Sequence, residues 1–512
     1  MKVLKLLISI SLLTIVVGMA PENNDSATHP AKQDYEGTVE LFDPGRRLNT
    51  EVSFITERPV IDGKLESSLD DLKIRRFSRI WKSNPENQVP RAHYRLGYGA
   101  SFLYLYIEAE GKSLTFRDRA YQNGDGFSLV IAKPMPDDQP TGEYYVLSCS
   151  AVNRPDLEWS RNIFWYYNVD NIFVPTGDST RLEFSEKDGV ISFELLLPWA
   201  DVHPYHPWVS EKIGFNLRFV RAIGESEKNS YKVFPGTVGR ENCPRWYGYL
   251  DFETPERVRK AQTYIYPLRR NVTEGDEINA VAVTAAPAGT GESVTAEIIS
   301  EEGVFRPASG LEYRCIEGIT RSEFRVDKAG LTAGDYDIRW NSLNDMGEFS
   351  VTVLPRFDPE EFNRRLDHSR KDIAPGSYFT LKYKSQKMEK LLKELFPYET
   401  ATNEREMLTV LGEQLKVAEA GHDPFADSTG PLLRAFLSHA DSTLQPYVVI
   451  IPQSYDQSKK YPLIVYLHGS ASTEADIIGH RFITTEQFIA VGPYGRGPSN
   501  GFDTYEAQTD IA

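Results

Sequence analysis

The chain has 512 residues, which at roughly 150 residues per domain corresponds to about three to four domains and excludes a single core. Its 40% hydrophobic and 25% charged residues are those of a folded protein, which excludes both a multi-span membrane protein and a disordered chain. The 57 Lys and Arg against 73 Asp and Glu leave a net charge of −16, a field that repels polyanions, so no nucleic acid is expected as a partner.

Lys2 and Lys5 precede an apolar run from Leu6 to Val17, and Gly18, Met19 and Ala20 follow it. This is the pattern of a secretory signal peptide over residues 1–20, cleaved after Ala20, and it predicts a secreted or periplasmic protein. The run is shorter than the about 20 apolar residues a membrane span needs, so no span is expected after cleavage. Cys149, Cys243 and Cys315 are the only thiols. An odd count allows at most one internal bridge, for which Cys149 with Cys243 is the expected pair because both fall in one domain.

Residues 21–50 are polar and read as a linker. From 51 to 253 short β-branched and aromatic runs recur between Gly, Asn, Asp and Pro, among them FLYLYI at 102–107, FSLVI at 127–131 and FNLRFV at 215–220. The spacing predicts an antiparallel β-sandwich. Residues 262–355 repeat the rhythm at smaller size and predict an immunoglobulin-like β domain. Over 356–430 the apolar period becomes helical, as in Leu391, Leu395, Leu411 and Leu415, and predicts a helical spacer packed on the domain after it. Over 431–512 strands return, and the run LIVYL at 463–467 is apolar on both faces, as a strand covered on both sides requires. The fold class is therefore multidomain: β-sandwich, immunoglobulin-like domain, helical spacer and the N-terminal part of an α/β domain.

Five short pieces, PVIDGKLE at 59–66, LYLYI at 103–107, GDG at 124–126, LLPW at 196–199 and WYGYL at 246–250, resemble the family 9 carbohydrate-binding modules and their wider relatives. The resemblance implies a sandwich over 51–253 that binds a polysaccharide or oligosaccharide by stacking aromatic rings on pyranose faces. Such rings suit sugars because the C–H faces are apolar while the edges are polar. Six of the seven Trp lie in this region; Trp81, Trp165 and Trp159 are the candidate platforms, while Trp199 and Trp246 read as packing residues. Some relatives hold calcium, to which Asp125 could contribute, but a turn carboxylate is the better reading of it. No other cofactor is expected. His203 and His206 lie among prolines without a third partner and read as loop residues, not metal ligands.

QPYVVIIP at 445–452, YPLIVYLHGS at 461–470 and GPYGRG at 492–497 resemble the opening of secreted α/β-hydrolases of the prolyl-oligopeptidase and carbohydrate-esterase type. The resemblance implies that Gly469 and Ser470 line an oxyanion hole, where small residues let a backbone N–H approach the developing negative oxygen. No G-x-S-x-G elbow occurs in the chain, and only His480 follows His468. Nucleophile, acid and base are absent, and the expectation is a truncated domain. The whole then reads as a modular carbohydrate-active protein whose N-terminal module delivers a serine hydrolase, an esterase of acylated polysaccharide. The alternatives are a glycan-binding protein without catalysis, a prolyl-oligopeptidase-like peptidase, and an accessory module of a glycoside hydrolase.

Overall fold

The computed structural model describes residues 49–512 except 78, 82–90, 116–123, 135–139, 151–159, 168–169, 176–178, 211, 223–229, 235–247, 254, 256–257, 259, 301, 304, 327–330, 471, 481–486, 499–500 and 512. The signal peptide and linker expected over 1–50 lie almost wholly outside the described residues. Two compact units result, one of Gly37–Val353 with Phe396–Thr400, the other holding Leu354–Leu395 and Ala401–Ala512. Most of the structure is β-sheet, in several domains. No helix among the described residues is long and apolar enough to cross a membrane.

The first unit opens with β1 (Asn49–Phe54), β2 (Arg75–Arg76), β3 (Arg79–Trp81), β4 (Ala92–Tyr98), β5 (Phe102–Glu110), β6 (Gly126–Pro134) and β7 (Pro140–Ser150). It continues with β8 (Ser160–Tyr167), β9 (Asp170–Pro175), β10 (Arg181–Lys187), β11 (Val190–Pro198), β12 (Ile213–Ala222), β13 (Ser230–Phe234) and β14 (Gly248–Phe252). One path of paired strands runs β10-β11-β5-β4-β1-β14-β12-β6-β7-β8-β9, with β2 on β4 and β13 bridging β12 to β3. The expectation of a purely antiparallel sandwich needs correction at β1. Its first residues pair in parallel with β14, its last in parallel with β4, so this one strand stitches the two layers together.

Strand β5 shows why the sequence folds this way. Leu103, Leu105 and Ile107 join the core between the layers, where they meet Phe193 and Leu195 of β11 and Phe127, Leu129 and Phe219 of the opposite layer. Phe102, Tyr104 and Tyr106, on the other face, pack against Ile55, Leu69 and Leu72, with Ile61 and Leu65 at the rim. A period of two thus feeds two separate cores. The 59–66 stretch is the lid of the second. Its Gly63 has φ +82°, and a Cβ there would stand 2.5 Å from the Phe184 carbonyl carbon, so only glycine fits.

The region expected to be immunoglobulin-like, a second β domain, contains β15 (Gln262–Pro267), β16 (Asn271–Thr273), β17 (Ile278–Ala286), β18 (Gly291–Ser300), β19 (Phe305–Arg314), β20 (Gly318–Val326), β21 (Gly334–Asn341) and β22 (Met346–Leu354). They form a three-stranded sheet, β15-β17-β20, and a five-stranded one, β16-β22-β21-β18-β19. Ile265, Ala280, Ala282 and Phe324 face the domain's own core with Trp340 and Val351. The alternate residues of the small sheet, Tyr264, Val283 and Ala285, belong instead to the core of the preceding sandwich. The two β domains therefore share buried surface.

The second unit starts with α1 (Pro359–His368), α2 (Pro375–Glu394) and α3 (Thr402–Glu419). Asp358 caps α1 by accepting from the N–H groups of Glu360 and Glu361. Leu366, Leu381, Met388, Leu411 and Leu415 form the shared helical core. Then come β23 (Gly430–Leu437), β24 (Leu444–Ile451), β25 (Leu463–Val465), β26 (Ile489–Pro493) and α4 (Tyr505–Ile511). Helix α2 packs on β23, where Thr380 Oγ1 accepts the Ala435 N–H at 3.0 Å. The sheet order is β23-β24-β26-β25, the first two pairings antiparallel and the last parallel. The expected burial of the 463–467 run on both faces is not observed. Leu463, Val465 and Leu467 are 62%, 46% and 48% exposed on one side, while Ile464 and Tyr466 pack inward.

Candidate functional site

Three tryptophans were expected to compete for a sugar face. Trp159 lies outside the described residues. Trp81 closes β3 opposite Lys232 of β13, and Trp165 sits in β8 opposite Tyr145 of β7; the side chains of both lie outside what is described. Between β3 and β8 the sheet passes through β13, β12, β6 and β7, which is five strand spacings, or roughly 24 Å of sheet at about 4.8 Å each. Along the sheet they are far apart. Trp199 and Trp208 are wholly buried, and Trp199 Nε1 donates to the Gly99 carbonyl at 3.1 Å, the packing role expected of Trp199. Part of the tryptophan enrichment is thus explained by the core. Trp246 and Cys243 lie outside the described residues, so the expected Cys149–Cys243 pair has one described member, the buried Cys149 in β7.

Asp125 is fully buried just before β6. It accepts the backbone N–H of Thr115 at 2.5 Å and of Ala222 at 2.7 Å, and the Arg221 guanidinium stands 3.0 Å away. A carboxylate ringed by N–H donors and a cation forms an internal ion pair; a calcium site would need several oxygens converging on one point. Among the described residues no group of three or more His, Cys, Asp or Glu converges on a metal position.

The loop after β25 carries the second set of candidates. His468 is buried, with Nε2 2.9 Å from the Tyr494 carbonyl and Nδ1 2.9 Å from that of Gly469, and its ring meets Phe502 edge-on. It ties the loop to the chain leaving β26. Gly469 and Ser470 are exposed, and a Cβ added at Gly469 would meet nothing within 4 Å. Among the described residues, nothing approaches the open side of the Gly469 Cα. Behind the loop, the Tyr466 hydroxyl donates to Asp476 Oδ2 at 2.7 Å and lies 2.5 Å from His480 Nε2, from which it accepts. Burial and the Asp476 carboxylate push this tyrosine up to about 12, so its hydroxyl keeps its proton near neutrality.

Three further features of the chain had no functional role assigned from the sequence. Glu474 is buried with Oε2 lacking a hydrogen-bond partner among the described residues, and burial together with this carboxylate pushes Tyr383 up to about 12. Arg496, with φ +69°, binds Asp510 at 2.5 Å, Asp441 at 2.5 Å and Ser438 at 2.8 Å. His203 and His206, read as loop residues, are buried where the two β domains meet. Only the Gly-Arg-Gly step around Arg496 was visible as a motif.

No protein-family profile matches the chain, and none of the curated proteins is similar to it. Among solved structures, a carbohydrate binding module family 9 from Caldicellulosiruptor kristjanssonii in complex with cellotriose is 12% identical, with 40% of this chain and 94% of that chain covered and a TM-score of 0.30. A DUF4785 family protein from Legionella pneumophila is 9% identical over 52% of this chain and 57% of its own, with a TM-score of 0.16. Bacteroides uniformis beta-glucuronidase 2 is 8% identical over 52% and 32%, with a TM-score of 0.17.

Proposed function

We propose that the protein is an exported, modular carbohydrate-active protein that binds polysaccharide through its N-terminal sandwich. The observation that carries this reading is convergence. Gly63 of the 59–66 stretch sits on Glu194 of β11, whose Leu196 pairs with Tyr104 of β5, so three of the five stretches resembling family 9 modules meet around one sheet face. Affinity electrophoresis on soluble xylan tests the binding, with Trp81→Ala and Trp165→Ala as the variants. Retardation of the parent that is lost in one variant supports the reading and names the platform. Retardation unchanged in both variants removes those residues, and no retardation on any polysaccharide overturns the binding role.

For residues 431–512 we propose the opening of an α/β-hydrolase sheet, of the carbohydrate-esterase kind. The antiparallel–antiparallel–parallel order and the His468–Gly469–Ser470 loop following the third strand support it, since the oxyanion donors of such enzymes come from that loop. The exposed apolar side of β25 is what a strand of a larger parallel sheet presents. With no G-x-S-x-G elbow, the 512-residue chain is expected to show no multiple turnover of p-nitrophenyl acetate. Turnover that is lost in Ser470→Ala would place an attacking hydroxyl inside this loop and overturn the assignment.

A further inference from the structure

His206 joins the sandwich to the small sheet of the second β domain. Its ring stacks on Tyr264 of β15 at 4.3 Å and 7°, and it meets Trp199 and Trp208 edge-on. Both ring nitrogens are engaged. Nε2 lies 2.7 Å from the Ala100 carbonyl and donates to it, while Nδ1 accepts the Trp208 N–H at 3.1 Å. This pattern admits only the neutral ring. A proton on Nδ1 would face the Trp208 N–H donor head on, and that hydrogen bond would be lost.

His203 lies on the same seam. Its ring packs on Tyr266 of β15 and on Tyr398, at 6.0 and 5.1 Å, and its carbonyl accepts the Tyr145 hydroxyl at 2.6 Å. Nε2 is buried with no hydrogen-bond partner among the described residues. Of the groups acting on this ring only the Pro267 carbonyl favours a second proton, and burial and the nearby cations outweigh it. The charged groups facing the seam are Arg270, which acts on His203, and Arg321, which acts on His206 and donates to the Trp208 carbonyl at 2.7 Å. The two histidines also act on each other. Asp201 and Glu399 act on Tyr145, as Arg270 does, and the remaining titratable groups are tyrosines, which stay neutral in acid. Both neighbouring cations oppose a third and a fourth.

We propose that this seam is an acid-operated joint: protonating His203 and His206 parts the sandwich from the β15-β17-β20 sheet while both domains stay folded. Burial is the main reason the rings resist protonation, and the two arginines add to it; His206 is pushed down to about 3 and His203 well below its ordinary value. The penalty falls on the seam because Ile265, Phe324, Trp340 and Val351 form a core separate from the sandwich's, while Tyr264, Val283 and Ala285 are the sheet's share of the core that also holds Leu103, Phe127 and Phe193, and are what parting exposes. Parting the domains hydrates both rings and removes the conflict.

Hydroxyl-radical footprinting of the whole chain at about pH 7.5 and about pH 4.5 tests the joint. Labelling of Tyr264, Tyr266 and Trp208 is expected to rise about tenfold in acid and to reverse on neutralisation, while Trp340 and Phe193 stay protected. In the His203→Phe, His206→Gln double variant the rise is expected to disappear. Unchanged protection of Tyr264 in acid overturns the proposal, as does simultaneous exposure of Trp340, which is global unfolding, or the same rise in the variant. If the variant does not fold, the parent decides the matter alone, through the contrast between Tyr264 and Trp340.

Discussion

Glu194 Oε2 accepts the backbone N–H of Gly63 at 2.8 Å from a position 131 residues further along the chain. The same oxygen accepts the Asp62 N–H at 2.9 Å, and Oε1 takes the Tyr104 hydroxyl at 2.8 Å. Burial pushes this carboxyl up, while the three donors pull it down. Glu194→Gln keeps the shape: its amide oxygen can take the two backbone N–H groups, but its NH2 then faces Tyr104, whose hydroxyl must turn round to accept. The cost expected is about 1–3 kcal/mol, since two charge-assisted hydrogen bonds become neutral ones and the third reverses. Chemical denaturation of the variant checks it, and a loss below about 1 kcal/mol would show that the 59–66 lid is held by packing alone.

A second internal anion makes a similar demand elsewhere in the sandwich. Asp125 is buried and Arg221 largely so, and a Cβ at Gly111 would come within 2.4 Å of the guanidinium, so the pair has little room to rearrange. Arg221→Met should cost about 3–5 kcal/mol by leaving Asp125 charged without its cation. Adding Asp125→Asn should restore part of that loss, because the uncompensated charge is then gone. Equal stabilities of the single and double variants in urea unfolding would contradict the charge argument.

These anchors also show where sequence reading stops. The FLYLYI run was legible as a strand because alternation is local, and so was the change to a helical period after Pro355. The PVIDGKLE stretch was legible as a motif, but its partner Glu194 was not, because nothing local marks one acid among 73 as the one beneath a turn. Parallel pairing of β1 with both layers leaves no trace in period or turn chemistry. His203 and His206 looked like loop residues because prolines flank them, yet Tyr264 and Tyr266, about sixty residues on, bury them. The LIVYL run shows the opposite limit: its apolarity on both faces was legible, and the partner for one face is not among the described residues.

Lys384 offers a prediction in pH. Burial, and then the charges of Arg434 and Lys387, bring its amine down to about 8, while Gln414 Oε1 accepts from it at 3.0 Å and the Phe425 ring lies 5.0 Å from Nζ. Below pH 8 the folded and unfolded states both carry the proton, so stability is flat. Between about 8 and about 10.4 the unfolded chain holds more protons, so stability rises with pH. Discounted for the partly exposed side chain, the rise is about 1–2 kcal/mol. Lys384→Met should therefore compare best with the parent near neutrality and lose that advantage toward pH 10, as read by denaturant titration at each pH. A difference that does not change with pH would show that the amine keeps its ordinary proton affinity.

Arg496 sets two effects against each other, and their sizes decide the outcome. Its φ of +69° costs a non-glycine residue about 1 kcal/mol, which Arg496→Gly would recover. The same substitution removes the bonds to Asp510, Asp441 and Ser438, and Ser438 Oγ itself donates to Asp510 Oδ1 at 2.5 Å. A partly buried network of this kind is worth about 2–4 kcal/mol, so the loss should win. Asp510 sits in α4, which makes that helix the reporter: amide exchange over 505–511 should quicken about tenfold in Arg496→Gly. Arg496→Lys keeps the charge without the planar fork and should fall between variant and parent. Slower exchange in the glycine variant would mean that backbone strain outweighs the ion network, and that α4 is held by its packing through Ala507.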